Sequence, residues 1–401
     1  MVREMDFVDE CYADKDLSLL KKLTLVIPTY NRNYYLSRCL WYHAHFPFGQ
    51  IIVADSSPEE KKVVNRETVA KVREMFGTDI LYLEYEPETE KYGGDIYRKW
   101  ADAVMHVRTE YSQICTDKEY YIPTTQCKCI EFLEANSDYD VADGKIVYIS
   151  RKTRDDYTLS NALPERREWS IDYPGIEQRL IAFLSSNDET HNLLSIRRAN
   201  MHKKIYNTLH EGGVNDLRFG EFGFEILSTI QSKSKYFPEY PYSCRDICSS
   251  GTGSYSQYLK NSSAARYPTF EEYKEDGVYE KKLEDLIETL AREISAKNID
   301  TPYDDAKKIS EITIITLAKM RGAEKTGVNK MLTSIISSPI GILWNFIPIN
   351  IKTHILRNLG LFNTTISEII NPGEELETCR KHITETETYR DSDCSLSLNR
   401  S

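Results

Sequence analysis

The segment LTLVIPTY at residues 23–30 decides the fold that we predict for this chain. It is an apolar run that ends in a proline-containing turn, the pattern of a strand buried in a parallel sheet. Asn31 follows as a good helix cap, and apolar residues then recur at helical spacing. A second apolar strand, IIVAD at 51–55, completes a strand, a helix and a strand within about thirty residues, the length of one right-handed crossover.

The same alternation continues along the amino half of the chain. Helical spacing recurs at 69–76 and 96–107, and strand patterns recur at 80–85 and 111–115. Four strands separated by helices predict a doubly wound α/β fold with a mostly parallel sheet. Weaker signals continue the same domain, as helices at 126–135 and 222–232 and as strands at 145–149 and 192–197.

Composition divides the chain into four predicted regions. They are a charged amino-terminal extension at 1–21, the α/β domain at 22–262, an amphipathic helical region at 263–372 and a polar tail at 373–401. The low apolar content of the tail predicts disorder. The uncharged run at 331–351 is long enough to span a bilayer, but Pro339 and Pro348 interrupt it. Together with its basic flanks, the segment 331–357 suits helical packing or an anionic membrane surface.

The net charge argues against nucleic-acid binding, and the cysteines indicate the compartment and argue against a zinc knuckle. The chain has 51 basic and 62 acidic residues and a net charge of -11, which opposes nucleic-acid binding. Nine scattered cysteines and no secretory pattern at the amino terminus favour a reducing cytoplasm. The spacings of Cys127 with Cys129 and of Cys244 with Cys248 are not those of a zinc knuckle, so we predict no zinc there.

Polar residues follow three of the predicted strands. They are Thr29, Asn31 and Arg32 after the first, Asp55 and Ser56 after the second, and Asp117 and Glu119 after the fourth. Open α/β sheets bind ligands at these carboxyl ends. A Rossmann dinucleotide site needs a glycine-rich turn after the first strand, whereas this chain has PTYNRN. A bound diphosphate therefore needs a cation, and Asp117 with Glu119 offers oxygen ligands to Mn²⁺ or Mg²⁺.

The order of these segments resembles the family-2 glycosyltransferases, which have a GT-A fold. The amino half of that family is resembled by LTLVIPTYNR, IIVADSS, GGDIYRKWADAV and ICTDKEYYIP. The acceptor half of a bacterial subgroup is resembled by FLEANSDYDVADGKIVYI, LLSIRRANM and FGEFGFEILSTI. The resemblance spans roughly 22–250. It implies a metal-dependent, inverting transfer of a sugar from a nucleotide diphosphate to a hydroxyl acceptor, in cell-surface polysaccharide or glycoconjugate synthesis.

The resemblance also assigns residues to the donor site. It implies that Pro28, Thr29, Asn31 and Arg32 border the base and ribose. Asp55 would accept a hydrogen bond from the ring imide of uracil or thymine, which favours a UDP- or dTDP-linked donor, and Arg98 would face phosphate. Asp117 and Glu119 match the family's acidic metal motif, which is usually a run of aspartates. Here Lys118 lies between them, and its charge opposes the metal's.

Glu221 occupies the position at which the family keeps its catalytic base. Phe222 replaces the second acidic residue of that position, so Asp216 and Glu225 are the alternatives. Gly220 and Gly223 would let the backbone turn the Glu221 carboxylate toward a cleft. Phe219, Phe222 and Phe224 would form apolar walls that raise its pKa.

Each assignment has a structural alternative. Asp55 could cap the following helix, and Asp117 could pair with a surface lysine. Glu221 and Glu225 could share an exposed acidic helix face, and Arg98, Arg197 and Arg198 could be solvated surface cations.

Two other functions and the acceptor stay open at the sequence level. A catalytically degenerate scaffold would explain the missing acidic residue at Phe222 and the irregular TDKE motif. A nucleotidyltransferase shares the sheet and the metal but needs a glycine-rich basic loop, which PTYNRN is not. The acceptor of a glycosyltransferase would be a saccharide or a lipid-linked sugar. The expected location is the cytoplasm, with peripheral contact on the inner face of the membrane through 331–357.

Overall fold

The fold is a mixed sheet with helices on both faces. The computed structural model describes residues 6–87, 95–153, 156–161, 170–185, 192–247, 270–298, 301–320 and 374–387. The strands are β1 (Leu23–Thr29), β2 (Gln50–Asp55), β3 (Ile80–Glu84), β4 (Tyr111–Ile114), β5 (Glu119–Tyr121), β6 (Tyr139–Thr153), β7 (Asp156–Asn161), β8 (Ile196–Arg198) and β9 (Lys233–Ile247). Their order in the sheet is β3-β2-β1-β4-β8-β6-β9-β5, and β7 pairs with β6.

The amino-terminal part of the sheet is parallel. β1 pairs in parallel with β2 and β4, and β2 pairs in parallel with β3. β8 is antiparallel to both β4 and β6, so it joins this part to the second half of the sheet. In that half β6 and β9 are parallel, whereas β5 is antiparallel to β9. The predicted α/β class is confirmed.

The helices cover both faces of this sheet. Those described are α1 (Asp6–Tyr12), α2 (Asn33–His43), α3 (Glu59–Phe76), α4 (Ile96–Met105), α5 (Pro123–Ala135), α6 (Ile176–Ser185), α7 (Ala199–Glu211), α8 (Leu217–Gln231), α9 (Phe270–Glu275), α10 (Tyr279–Lys297), α11 (Tyr303–Met320) and α12 (Glu374–Glu387). The apolar run predicted as the first strand is β1. Its Leu25 and Ile27 belong to one buried core and its Val26 to the other, because successive side chains of a strand point to opposite faces.

The predicted carboxyl-terminal helical region is confirmed in its described part. Leu286 and Leu290 of α10 and Leu317 of α11 enter the same core as α8, so these helices extend the layer on that face of the sheet. None of the described helices combines the length and apolar character needed to cross a membrane. The run 331–351 and its flank to 357 lie outside the described residues, and the predicted domain boundaries stay predictions.

Disorder was the wrong prediction for residues 374–387. They form α12, whose Leu376, Cys379 and Ile383 are fully or almost fully buried. Spacings of three and four residues place these three on one side of the helix, and this narrow apolar stripe is hidden by a polar average composition. The amino-terminal extension packs in the same core, through Val8 and Tyr12 of α1.

Polar contacts fix α12 on α2. The Arg38 guanidinium donates to the Ile383 carbonyl at 2.9 Å, and His382 Nε2 donates to the Arg38 carbonyl at 3.1 Å. His382 is fully buried, and burial lowers its pKa to about 3. The helix is therefore docked with an uncharged imidazole at neutral pH.

Acidification should weaken this docking. Between pH 6.5 and about 3 the unfolded chain binds a proton at His382 that the folded chain does not, so the free energy of unfolding falls as the pH falls. The variant His382→Gln keeps a donor for the Arg38 carbonyl. Between pH 7 and pH 5 we expect its free energy of unfolding to fall by about 1–2 kcal/mol less than that of the wild type. Urea denaturation at the two pH values measures this. The exposed-histidine control His106→Gln should behave as wild type, and equal losses in wild type and His382→Gln would contradict the prediction.

Candidate active site

The carboxyl ends of β1, β2 and β4 meet at one edge of the sheet. Thr29 is the register partner of Asp55, and the Ser56 N–H donates to the Thr29 carbonyl at 3.2 Å. On the other side of β1, the Cys115 N–H donates to the Val26 carbonyl at 2.8 Å. These parallel registers bring the polar residues that follow the three strands to the same edge.

Asp117 is a buried carboxylate at this edge. Thr29 Oγ1 donates to its Oδ2 at 3.3 Å, and Arg32 Nη2 lies 3.1 Å from its Oδ1. Its partner is therefore the predicted donor-site arginine rather than a surface lysine. Burial raises the pKa of Asp117, and the charges of Arg32, Lys118 and Lys99 counteract that rise. Three cations thus act on one carboxylate, which makes the edge attractive to an anion.

Glu119 has a different environment. It is fully buried in β5, and Ser243 Oγ on β9 donates to its Oε2 at 3.2 Å. Among the described residues, one group of three histidine, cysteine or acidic side chains has ligand atoms close enough together to hold a metal ion. That group includes neither Asp117 nor Glu119. The two carboxylates fit Mn²⁺ or Mg²⁺ in chemistry. Oxygen atoms from a bound ligand would have to complete the coordination.

Asp55 is held by three internal donors. Its carboxylate accepts hydrogen bonds from the Ser57 N–H at 2.7 Å, Asn65 Nδ2 at 2.6 Å and the Tyr82 hydroxyl at 2.5 Å. It does not cap α3, because that helix begins at Glu59 and its cap position is Pro58. The capping alternative is therefore wrong. Contact with a base would have to use the remaining acceptor capacity of this carboxylate or replace one internal donor.

The cation on α4 that faces the edge is Lys99 and not Arg98. Arg98 has a side chain that is 64% exposed, and its Nη1 lies 3.9 Å from Asp95 Oδ2. Lys99 is buried, and its Nζ donates to Ser56 Oγ at 2.8 Å and to the Thr29 carbonyl at 3.4 Å. Sequence reasoning missed Lys99. A signal existed, because it lies three residues after Ile96 and four before Ala103, on the apolar side of the helix.

The turn after β1 carries the remaining predicted donor-site residues. Asn31 has a φ of 52°, the left-handed conformation that asparagine tolerates, and its N–H donates to Ser57 Oγ at 2.8 Å. Pro28 is the register partner of Ala54 near the end of β1. Arg32 then places its guanidinium 4.4 Å from the centre of the Tyr35 ring. The sharp turn therefore brings Arg32 back over the strand ends.

Asp216 performs a structural task at the start of α8. Its carboxylate accepts from the Arg218 N–H at 3.0 Å and the Phe219 N–H at 3.1 Å, which caps the helix. Tyr273 and Lys282 also bond to it, at 3.1 and 3.2 Å. These contacts connect α8 to α9 and α10 and occupy both oxygens of this alternative base.

Glu221 and Glu225 differ in burial. Glu221 is half-buried on α8, whereas Glu225 is fully buried, so a shared exposed acidic face is wrong. Arg197 is also fully buried; its Nη1 donates to Ser228 Oγ at 3.0 Å and its guanidinium lies 4.6 Å from the Phe224 ring centre. Burial lowers the pKa of Arg197 to about 10, and Glu225 is among the groups that counteract this. Arg197 is therefore no surface cation.

The glycines beside Glu221 do not provide backbone freedom. Both lie inside α8, where a Cβ on Gly220 would approach the Tyr97 ring to 2.6 Å and a Cβ on Gly223 would approach Leu209 to 2.5 Å. Their role is close packing against α4 and α7. The apolar walls predicted from the three neighbouring phenylalanines are part of the hydrophobic core: Phe219, Phe222 and Phe224 are all buried. The interpretation of the two glycines as flexible points was wrong because the segment is continuous helix.

Comparisons with known proteins give distant structural likenesses. No protein-family model and no curated protein matches the sequence. Residues 1–349 of TarS from S. aureus, in complex with UDP-GlcNAc, share 13% identity at a TM-score of 0.47, over 94% of this chain and 92% of that chain. The mannosyltransferase PcManGT from Pyrobaculum calidifontis, in complex with GDP-Man and Mn²⁺, shares 13% identity at a TM-score of 0.35, over 84% and 87%.

Proposed function

We propose that this chain is a nucleotide-sugar-dependent glycosyltransferase of the GT-A type. One observation carries the proposal: Lys99, Arg32 and Asp117, each mostly or fully buried, converge where β1, β2 and β4 end. Buried charges are costly unless they are paired or serve a ligand. The motif resemblance supplies the reaction class, and the sheet edge supplies a place for the donor diphosphate.

The proposed donor lies across the turn after β1. Thr29, Asn31 and Arg32 border the nucleoside, and Lys99 reaches the diphosphate from α4 in the role first given to Arg98. Asp55 stands at the end of β2, where the family resemblance expects recognition of uracil or thymine. A UDP- or dTDP-linked sugar is therefore the donor that we propose.

A divalent cation completes the proposed donor site. Asp117 and Glu119 would hold Mn²⁺ or Mg²⁺ together with diphosphate oxygens, because hard cations prefer oxygen ligands. When bound, the ion neutralises charge that develops on the leaving diphosphate. Arg32 and Lys99 contribute to the same stabilisation as fixed cations in a largely buried place.

Glu221 is the proposed base. It is the half-buried carboxylate of α8, whereas Asp216 caps the helix and Glu225 lies in the core beside Arg197. A carboxylate in reach of the acceptor hydroxyl removes its proton as the new bond forms. One displacement with this base opposite the leaving group inverts the anomeric configuration. The acceptor is a saccharide or a lipid-linked sugar of a surface glycoconjugate, bound in the cytoplasm, with 331–357 as peripheral membrane contact.

A degenerate scaffold is the second candidate. Two observations favour it: Asp55 already has three donors, and Phe222 is a core residue where the family has an acidic one. A scaffold would neither consume nor bind any nucleotide sugar, and the experiments below separate the two functions.

Nucleotide binding should depend on the cation. Without a cradle of backbone amides, a uridine or thymidine diphosphate should raise the melting temperature only when Mn²⁺ or Mg²⁺ is present. Changing Asp117→Asn together with Glu119→Gln should remove the metal-dependent part of the shift. Thermal shift over a nucleotide panel measures this, with adenosine and guanosine diphosphates as controls. Wild-type metal dependence in the double variant would place the metal elsewhere.

Lys99 and Arg98 are neighbouring cations on α4, so variants of the two residues make a matched test and control for the proposed diphosphate contact. Lys99→Met should weaken nucleotide binding about tenfold or more, since a hydrogen bond to a charged group contributes about 1.5–3 kcal/mol. Arg98→Met should change the Kd less than about twofold, because its exposed charge is screened. Isothermal titration calorimetry with uridine diphosphate in the presence of Mn²⁺ measures the Kd of both variants. A large loss for Arg98→Met with none for Lys99→Met would restore the original assignment.

Turnover should depend on Glu221. Glu221→Gln should leave nucleotide and metal binding near wild type and reduce donor turnover about a hundredfold or more, the effect of losing a positioned base. Glu211→Gln, an exposed change on α7, is the control and should retain activity. Release of nucleoside diphosphate gives the rates. If Glu225→Gln stops turnover while Glu221→Gln does not, the base lies one helical turn further along α8.

A further inference from the structure

A cysteine and histidine cluster lies beneath the proposed donor site. Cys39 and His43 are one turn apart on α2, and Cys115 follows β4; all three are fully buried. One ligand atom from each residue lies within 4.8 Å of the other two. The two Sγ atoms are 3.8 Å apart, and Cys115 Sγ is 4.0 Å from His43 Nε2. The donor-site mechanism uses none of these groups.

The Glu119 carbonyl oxygen gives the cluster a fourth corner. Cys39 Sγ lies 3.9 Å from this oxygen and Cys115 Sγ lies 3.8 Å from it. Together with the distances above, four edges of a tetrahedron measure 3.8–4.0 Å. The centre of a regular tetrahedron of that size is about 2.4 Å from its corners, close to the Zn–S bond length of about 2.3 Å.

His43 is oriented as a metal-binding histidine is. Its Nδ1 donates to the Cys39 carbonyl at 2.8 Å, which fixes the proton on Nδ1 and directs the lone pair of Nε2 toward Cys115. Histidine ligands usually donate their second ring nitrogen to a carbonyl or carboxylate in this way. A metal on Nε2 would replace one weak contact, the Tyr121 N–H at 3.4 Å.

We propose that Cys39, Cys115 and His43 bind one structural zinc ion, with the Glu119 carbonyl oxygen at the fourth position. Binding Zn²⁺ releases the two thiol protons and forms two Zn–S bonds, so two thiolates and one dication make a neutral group that a dry core can hold. Borderline-soft zinc suits thiolate and imidazole, whereas Mn²⁺ and Mg²⁺ prefer the carboxylates above.

The zinc ion would tie α2 to the turn that carries Asp117. Arg32 precedes α2 and pairs with Asp117, so the ion would fix both ends of that ion pair from below. The zinc proposal does not rest on the proposed glycosyltransferase activity. A scaffold that binds no donor would keep it.

Metal content of the full-length chain tests the proposal. The protein is produced with added zinc, treated with EDTA and desalted. Inductively coupled plasma mass spectrometry should then find about one zinc ion per chain. The Cys39→Ser, Cys115→Ser double variant should contain less than about a tenth of that. Cys129→Ser changes another fully buried free cysteine and is the matched control, which should keep the zinc.

A second measurement keeps the proposal testable if the double variant does not fold. Wild-type chain refolded with Co²⁺ should show an intense thiolate-to-cobalt charge-transfer band and the visible bands of tetrahedral cobalt. Absence of that band together with zinc-free protein would overturn the proposal. Zinc retained by a folded double variant would also overturn it. So would a Cys39–Cys115 disulfide, seen as a loss of two hydrogens in the cross-linked peptide.

Discussion

β1 is buried on both faces and hydrogen-bonded on both edges, and the positions of the other functional elements follow from this constraint. Leu25 and Ile27 enter one core and Val26 the other, so the strand cannot slip by one residue without exchanging its faces. Parallel pairing with β2 and β4 then fixes where all three strands end. The register of the three strands therefore places the polar residues of the candidate site at one edge of the sheet.

Electrostatics at that edge sets its chemical character. A buried carboxylate, Asp117, lies among three cations, and burial alone would favour its neutral form. Such an arrangement is expensive in a core that serves only stability, because each buried ion loses hydration. A dianionic or trianionic diphosphate with a divalent cation would pair these charges. The low polarity of the surroundings strengthens each of those interactions.

The parts of the fold that could be predicted from sequence were those with strong local patterns. β1 and β2 are mostly apolar, with the runs LVIP at 25–28 and IIVA at 51–54, and their polar ends could be located without a structure. Lys99 was missed because Arg98, the cation beside it, is an equally suitable phosphate ligand by residue type, and burial separates the two only in the structure. α12 was missed because its average composition is polar, although Leu376, Cys379 and Ile383 repeat at helical spacing. Local conformation decided the role of Gly220, which packs against Tyr97 inside a helix.

The proximity of Cys39 and Cys115 could not be predicted from the sequence. Cys39 and Cys115 are separated by 76 residues, and only the pairing of β1 with β4 brings α2 to the end of β4.

We propose that the sheet edge at the ends of β1, β2 and β4 binds a nucleoside diphosphate. A crystal structure of the chain soaked with UDP and Mn²⁺ tests it most directly. We predict diphosphate density beside Lys99, Arg32 and Asp117 at the ends of β1, β2 and β4. Nucleotide bound at another surface, with this edge unchanged, would contradict the account.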